Sequence, residues 1–437
     1  MNDKRRRTCL LIAMAAAVGG MILPVRPVSS APVIVLDSAE KSVARNYIEL
    51  PAFARSRANT GVAVHDIADT KLLDAVKDVG FSFIRADLFW SEVDTKDGWQ
   101  FSRYDTLVSD LAARGLGALF ILGYGNDLYG PHQPPTTPLQ LAGFSRYVHE
   151  SVSRYRDADV RFEVWNEEDS KSFWLTEPSP AAYGQLLNTA LRAAKSANPD
   201  AVVAMGGVQQ VNRDFIRAVG NVWQVEPDAV SVHAYRQEEP ESVFSDYRHL
   251  SQDLAAYRKV PAIWATEWSY PSYGYSYVAD IADGHSPEAR ARQARYVVRR
   301  FLTDWIAQIG LTAYYDIRND GANPKNMENN FGLLDSDNTR LPAYDATKYL
   351  FSFTKDVTRA RYFIDIQNKY VILKLNSPHA TRYVAWCYGR GNGIRLDISQ
   401  LPGNARVTDM YGTRLVPEGG AVTAPETLGP VFISVAS

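Results

Sequence analysis

Phe162-Glu163-Val164-Trp165-Asn166-Glu167 is an apolar run that ends in a carboxylate, and Ile263-Trp264-Ala265-Thr266-Glu267-Trp268 repeats the design later in the chain. They belong to a set of eight such runs between Thr60 and Lys355. The others are Gly61–His65, Phe81–Trp90, Leu116–Tyr124, Ala201–Val208, Ala229–Tyr235 and Leu311–Ile317, while the two quoted fill out as Val160–Glu167 and Ala262–Trp268. Each is apolar on both faces or nearly so, the pattern of parallel strands covered by helices. Amphipathic stretches separate them. In the clearest, Arg290 to Ile309, Ala294, Val297, Val298, Phe301, Leu302, Trp305 and Ile309 recur at helical spacing, and Arg292, Arg295 and Arg299 read as the wet side. Pro180, Pro287 and Pro342 stand where helices start and a missing N–H costs nothing. Eight strand–helix units over roughly 290 residues predict a (β/α)8 barrel of the TIM type. A doubly wound open sheet is the rival, but its Gly-rich phosphate fingerprint is missing.

After Lys355 the period changes to short alternating runs: Arg361–Gln367, Tyr370–Asn376, Thr381–Gly389, Ile394–Ser399, Ala405–Met410 and Val431–Val435. Turns at Gly389-Arg390-Gly391 and Leu401-Pro402-Gly403 punctuate them, which predicts a C-terminal antiparallel β-sandwich over residues 356–437 beside a barrel over residues 32–355. Val33–Leu36 is a candidate extra strand of that sandwich. Residues 1–31 read as an export signal or N-terminal anchor: Lys4 to Arg7 are the positive region, Cys9 to Leu23 the apolar region, and Ser29, Ser30 and Ala31 the small residues. Pro32 disfavours cleavage after Ala31, so cleavage after Ser30 and retention of the segment both stay open. Uncleaved, the apolar run is shorter than the ~20 residues a membrane span wants. The body of the protein is expected outside the cytoplasm, periplasmic or secreted, with membrane contact only through that segment.

The chain has 437 residues, 46% hydrophobic and 22% charged, so it has apolar mass for a large core and is not disordered. A formal net charge of −2 without a long basic run argues against a nucleic-acid partner. Outside the N-terminal segment Cys387 is the single thiol, in the alternating run Tyr383-Val384-Ala385-Trp386-Cys387, and reads as a buried strand residue. Seven scattered histidines with no His-x-His or His-Glu-x-x-His spacing give no metal signature, and no cofactor is expected.

In a (β/α)8 barrel every strand's C-terminal end opens on one face, where catalytic groups collect. Glu167 and Glu267, at the ends of strands four and seven, would share that mouth. A carboxylate is costly to bury unless it is paired, hydrogen-bonded or protonated. Spacing alone leaves two readings, a catalytic pair or a salt-bridged rim.

Trp165-Asn166-Glu167 on strand four with Thr266-Glu267-Trp268 on strand seven resembles clan A of the glycoside hydrolases, retaining (β/α)8 enzymes. Within the clan the chain is most similar to family 39 and to the related endoglycosidases that trim bacterial exopolysaccharides, over Thr60 to Lys355, with Val407 to Gly412 similar to their appended sandwich. The resemblance implies that Glu267 is the nucleophile and Glu167 the general acid/base, with Asn166 holding the 2-hydroxyl at the cleavage point. It makes Glu168 a bystander facing away. His233-Ala234-Tyr235 matches a His-x-Tyr arrangement in which Tyr235 bonds the nucleophile, and Arg85 matches the basic residue beside it. His65, after strand one, resembles a family 39 histidine, or is a rim histidine bonded to a neighbouring loop. The sequence departs from the clan at Tyr314-Tyr315-Asp316, where many members carry a tryptophan, and at Gly123-Tyr124-Gly125-Asn126, where strand three lacks a histidine. Such enzymes divide labour between two carboxyl groups about 5–5.5 Å apart, one attacking the anomeric carbon and one protonating the leaving oxygen.

Aromatic rings suit the apolar C–H faces of sugars, and Trp90, Tyr124, Tyr129, Trp174, Trp268, Tyr270, Tyr273, Tyr275 and Tyr277 lie in or just after barrel strands. About half are expected to face the cleft. Trp90, Tyr124, Trp174, Trp268 and Tyr315 are the candidate substrate contacts among them and their neighbours. The Trp268–Tyr275 run and Asn323–Asn330 read as rim loops. The function expected is an exported retaining O-glycosidase on a β-linked polysaccharide, an open groove favouring internal cleavage. A non-catalytic carbohydrate-binding or matrix-assembly protein and a transglycosylase are the alternatives.

Overall fold

The computed structural model describes residues 31–36, 47–389 and 393–436. The expected leader lies outside the described residues except for Ala31, and the turn at 389–391 does so except for Gly389. No helix among the described residues is long and apolar enough to cross a membrane.

Eight parallel strands close into a barrel with helices between them. Barrel strands one to eight are Thr60–Ala63, Phe83–Phe89, Gly117–Gly123, Val160–Asn166, Val203–Gln209, Ala229–His233, Ala262–Trp268 and Leu311–Tyr314. Closure comes from strand eight pairing with strand one, Thr312 against Thr60 through Tyr314 against Val62. The strands are apolar on both faces because each face meets a different core. Phe83, Leu119, Trp264 and Leu311 belong to a cluster that plugs the barrel interior, while Ile84, Phe120, Val164 and Ala265 pack outward against the helices.

Pro180, Pro287 and Pro342 each occupy the first turn of a helix, behind Ser179, Ser286 and Leu341. The helix Pro287–Ile306 corrects one expectation. Arg299 is not on a wet side: it is buried, with Nε 3.0 Å from Glu241 Oε1 and a second contact to Glu239. Trp386 of the sandwich donates to the same Glu241 oxygen at 2.6 Å. The arginine is therefore part of the seal between barrel and sandwich. Helical periodicity could not foresee a second domain covering that face.

The sandwich has two sheets. One runs, in spatial order, Arg406–Thr408, Val431–Ala436, Ala380–Cys387, Tyr370–Ser377, Arg359–Asp365 and Ile48–Glu49, and the other Val33–Val35, Ile394–Asp397 and Ala421–Ala424. Val33–Val35 joins the sandwich as expected, but parallel to Ile394–Asp397, so the sandwich is not wholly antiparallel. Ile48–Glu49 and Ala421–Ala424 are strands too short for alternation to reveal. Cys387 is buried at the end of its strand.

Candidate active site

The mouth is assembled by breaks in regular strand geometry. On strand four Trp165 and Glu167 both lie in the left-handed region, at φ 76° and φ 49°. Such conformations cost non-glycine residues about 1–3 kcal/mol each and persist only where the surroundings impose them. They interrupt the two-residue alternation. Trp165 packs outward on Trp174, Asn166 and Glu167 both turn inward, and Glu168 is sent behind the strand. On strand seven the register against strand eight shifts between Ala265 and Trp268, which lets consecutive Thr266 and Glu267 both reach the interior.

Arg85, on strand two, is the hub. Its Nε lies 3.0 Å from Glu163 Oε2, Nη1 lies 2.8 Å from Glu267 Oε2, and Nη2 lies 2.8 Å from Asn166 Oδ1. Burial alone would lower its pKa, but Glu163 and Glu267 overcome that and hold it above its ordinary value. Tyr235 donates to the other oxygen of Glu267 at 2.7 Å. Burial first, and the Glu267 charge second, push the Tyr235 phenol well above its ordinary range, so it stays an O–H donor.

His233 joins the two glutamates. Nδ1 is 2.9 Å from Glu167 Oε1 and 3.8 Å from Glu267 Oε2, while Nε2 is 3.2 Å from Arg85 Nη2. A guanidinium can only donate, so Nε2 is the acceptor and Nδ1 carries the proton that Glu167 accepts. Burial works against charging the ring; Glu267, and then the bond to Glu167, raise its pKa nonetheless. A Cβ at Gly207 would sit 2.1 Å from His233 Nε2, so only glycine on strand five leaves room for the imidazole. Gln209 donates to Glu167 Oε2 at 2.9 Å. The chosen oxygens of Glu167 and Glu267 and the His233 nitrogen all lie within 4.8 Å of one another.

Glu163, Thr266 and Gln209 went unassigned by sequence reasoning. The signal for Glu163 was available: it is a carboxylate in the middle of an apolar strand, where an arginine on a nearby strand is the natural partner. Thr266 donates to its Oε1 at 2.9 Å. Glu168 lies behind the strand as expected. It is fully buried, with neither oxygen hydrogen-bonded, and burial, then Asp169, push its pKa well above the carboxylate range.

Three tryptophans expected at the substrate are core residues instead. Trp90 is stacked on Tyr129 and donates to Asp94; Trp174 is wedged between Trp165 and Tyr183; Trp268 packs on Phe301 and Tyr314 and donates to Thr312. Each is at most 1% exposed and can stack on no sugar. Tyr270, Tyr275 and Tyr277 also turn inward, leaving Tyr124, Tyr129 and Tyr273 half-buried among the nine rings, fewer than expected. Large rings after barrel strands are recruited to hold loops on helix ends, which is the cheaper use of their area.

A groove of about 1420 Å³ reaches Arg85, which bonds Glu267, and runs along the ends of strands one and eight, past His65, Tyr315, Asp316, Asp320 and Glu328. Tyr315 is 8% exposed, its ring set against His65 and Phe331. His65 Nδ1 is 3.1 Å from Asp320 Oδ1 on the following loop, so the bonded-rim description fits its position, and it also lines the groove. The half-buried Tyr124 donates to Asp87 at 3.0 Å.

No family model and no curated protein matches the chain. Solved structures do. A family 39 glycoside hydrolase from Bacteroides cellulosilyticus matches with a TM-score of 0.71 at 22% identity, over 88% of this chain and 82% of that one. A family 39 β-xylosidase from Caulobacter crescentus gives 0.65 at 17% identity, covering 92% and 99%. A family 30 endoxylanase from Clostridium papyrosolvens gives 0.57 at 11% identity, covering 93% and 99%. The shared architecture is a (β/α)8 barrel with an appended β-sandwich.

Proposed function

We propose that this protein is an exported retaining O-glycosidase that cleaves a β-linked polysaccharide, a bacterial exopolysaccharide, at internal bonds. The observation that carries the reading is the approach of Glu167 and Glu267, whose carboxylate oxygens come within 4.8 Å of one another. That is the spacing for double displacement through a covalent intermediate; an inverting pair stands about 6.5–9.5 Å apart to admit water.

Glu267 attacks the anomeric carbon. The Arg85 guanidinium and the Tyr235 hydroxyl both donate to it and favour its charged form. Glu167 protonates the departing oxygen, then takes a proton from the water that releases the sugar. His233 and Gln209 hold its two oxygens in place through both half-reactions. Asn166, fixed by Arg85, is positioned to donate its amide to the 2-hydroxyl of the sugar being cleaved. The folds of xylan- and xyloside-cleaving enzymes, the groove beside the pair and the leader-like residues 4–31 all agree with this reading.

The test is chemical rescue. A Glu267→Ala variant should lose turnover by several orders of magnitude, and azide should restore it with inversion at the anomeric centre, read by NMR of the glycosyl azide. A retained product, or no loss, would refute the nucleophile assignment. Sizing the products from purified exopolysaccharides reads substrate and cleavage mode together.

A further inference from the structure

The strand one and strand eight side of the mouth holds more carboxyl groups than its own donors answer. Asp316, at the end of strand eight, is 3% exposed, and its Oδ1 has no hydrogen-bond partner. Its Oδ2 is 3.5 Å from His65 Nδ1, the same nitrogen that lies 3.1 Å from Asp320 Oδ1. One ring N–H cannot serve both carboxylates. Glu328, from the loop over residues 323–330, lines the same groove. Burial first, then the charges of Asp320 and Glu267, push its pKa up to about 7, which marks it as electrostatically close to the nucleophile. The arginines that line the groove are committed elsewhere: Arg85 to Glu163 and Glu267, Arg318 to Asp66 and Asp69, Arg103 to Glu92. Three carboxyl groups face one imidazole and the Tyr315 hydroxyl, which bonds Glu328 and leaves Asp316 and Asp320 to share His65, and a buried carboxyl without a partner is costly.

We propose that Asp320 and Glu328, backed by Asp316, form a subsite for the ammonium group of a sugar bearing a free primary amine, so that the polysaccharide cleaved contains unacetylated amino sugars. The proposal deepens the glycosidase reading and rests on it. An ammonium has three donors and no acceptor, the complement of a carboxylate cluster. A neutral sugar would leave the charge unanswered, and a uronic acid would be repelled. A hard divalent ion wants about six to eight oxygen ligands. Here one of the three clustered side chains is an imidazole that already bonds Asp320, and the groove has room for a sugar.

The experiment is calorimetry on the full chain carrying Glu167→Gln, with D-glucosamine, D-glucose and N-acetyl-D-glucosamine as probes. It is run at about pH 7, below the ~7.7 of an ordinary α-amino group. Glucosamine should bind at least about tenfold more tightly than either comparator, as a charge-assisted hydrogen bond to a carboxylate would give. Adding Asp320→Asn and Glu328→Gln should abolish that preference, so that glucosamine binds no more tightly than glucose. A melting curve establishes that the variant is folded, and Asp320→Asn alone provides the readout if the combined variant is not. Equal affinities, or no binding of glucosamine, would overturn the subsite. So would calcium or manganese chloride displacing glucosamine one for one, which would make the carboxylates a metal site. Rescue of Glu267→Ala by azide scores the glycosidase reading separately: an enzyme that passes it but ignores the amine loses the subsite alone.

Discussion

Glu163 and Asp316 are buried alike at one barrel mouth, 0% and 3% exposed, and their surroundings are opposites. Glu163 accepts from Arg85 at 3.0 Å and from Thr266 at 2.9 Å, within a network that also fixes Glu267, Asn166 and His233. Asp316 has His65 at 3.5 Å, shared with Asp320, and an oxygen that bonds nothing. On the strand four and seven side each charge is met by protein, so the geometry exists before any substrate arrives. That is what electrostatic preorganisation requires. On the strand one and eight side the carboxyl oxygens outnumber their partners. The contrast teaches that a cluster of acids is not one kind of object: one whose oxygens are all met by protein donors is preorganised, and one whose oxygens outnumber their donors has acceptors to spare.

The hardest blow to this contrast would fall on Glu163. A Glu163→Gln variant takes away one of the two charges that hold Arg85 in the barrel, and losing one partner of a buried pair costs about 3–5 kcal/mol. Urea unfolding should show that loss, and wild-type stability would mean the Arg85 network is not under electrostatic tension. Tyr235→Phe tests the machinery with less violence, because it removes one hydroxyl and leaves the ring packed. Its kcat should fall about 100-fold, or ~2.7 kcal/mol, with KM and melting temperature little changed. A variant that lost affinity and kept kcat would make Tyr235 a ground-state contact.

The barrel was legible because strands apolar on both faces, alternating with amphipathic helices, admit few architectures. The inner plug of Phe83, Leu119 and Trp264 and the outward Ile84 and Phe120 are what that pattern encodes. That Glu167 and Glu267 meet at one mouth was legible from their place at strand ends. What period-two reasoning could not deliver is the inward turn of both Asn166 and Glu167, since it depends on left-handed backbone at Trp165 and Glu167. The same holds for Thr266 beside Glu267, which needs a register shift. The tryptophans misled because a ring at a strand end has two uses, and only tertiary packing distinguishes a platform from a wedge. Arg299 misled for the converse reason: its polar helix face is covered by Trp386, from a different domain. The acidic flank needed strand one, strand eight and the loop over residues 323–330 brought together, and no local motif links them.

The gentlest probe of the contrast is a change of sign. Burial pushes the Asp316 carboxyl well above the usual range; His65 opposes this, and Asp320 and Glu328 reinforce it. The folded protein therefore keeps a proton that the unfolded chain releases above about pH 3.9. The stability contributed by the neutral form is whole below that pH and drains away as pH climbs toward the folded-state value. Asparagine has nearly the same shape and no such proton to lose. Asp316→Asn should thus melt with the wild type near pH ~4 and above it at neutral pH, by about 1 °C, equivalent to roughly 1 kcal/mol in a protein of this size. Differential scanning calorimetry across that range reads the difference directly, and its slope matters more than its size. Glu163→Gln should destabilise at neutral pH and Asp316→Asn should stabilise, though both replace a buried carboxyl on one rim. If Asp316→Asn instead lost stability at neutral pH, Asp316 would be ionised and well partnered. The two sides of the mouth would then be electrostatically alike, and the flank would have no unanswered acceptor to offer a cationic sugar.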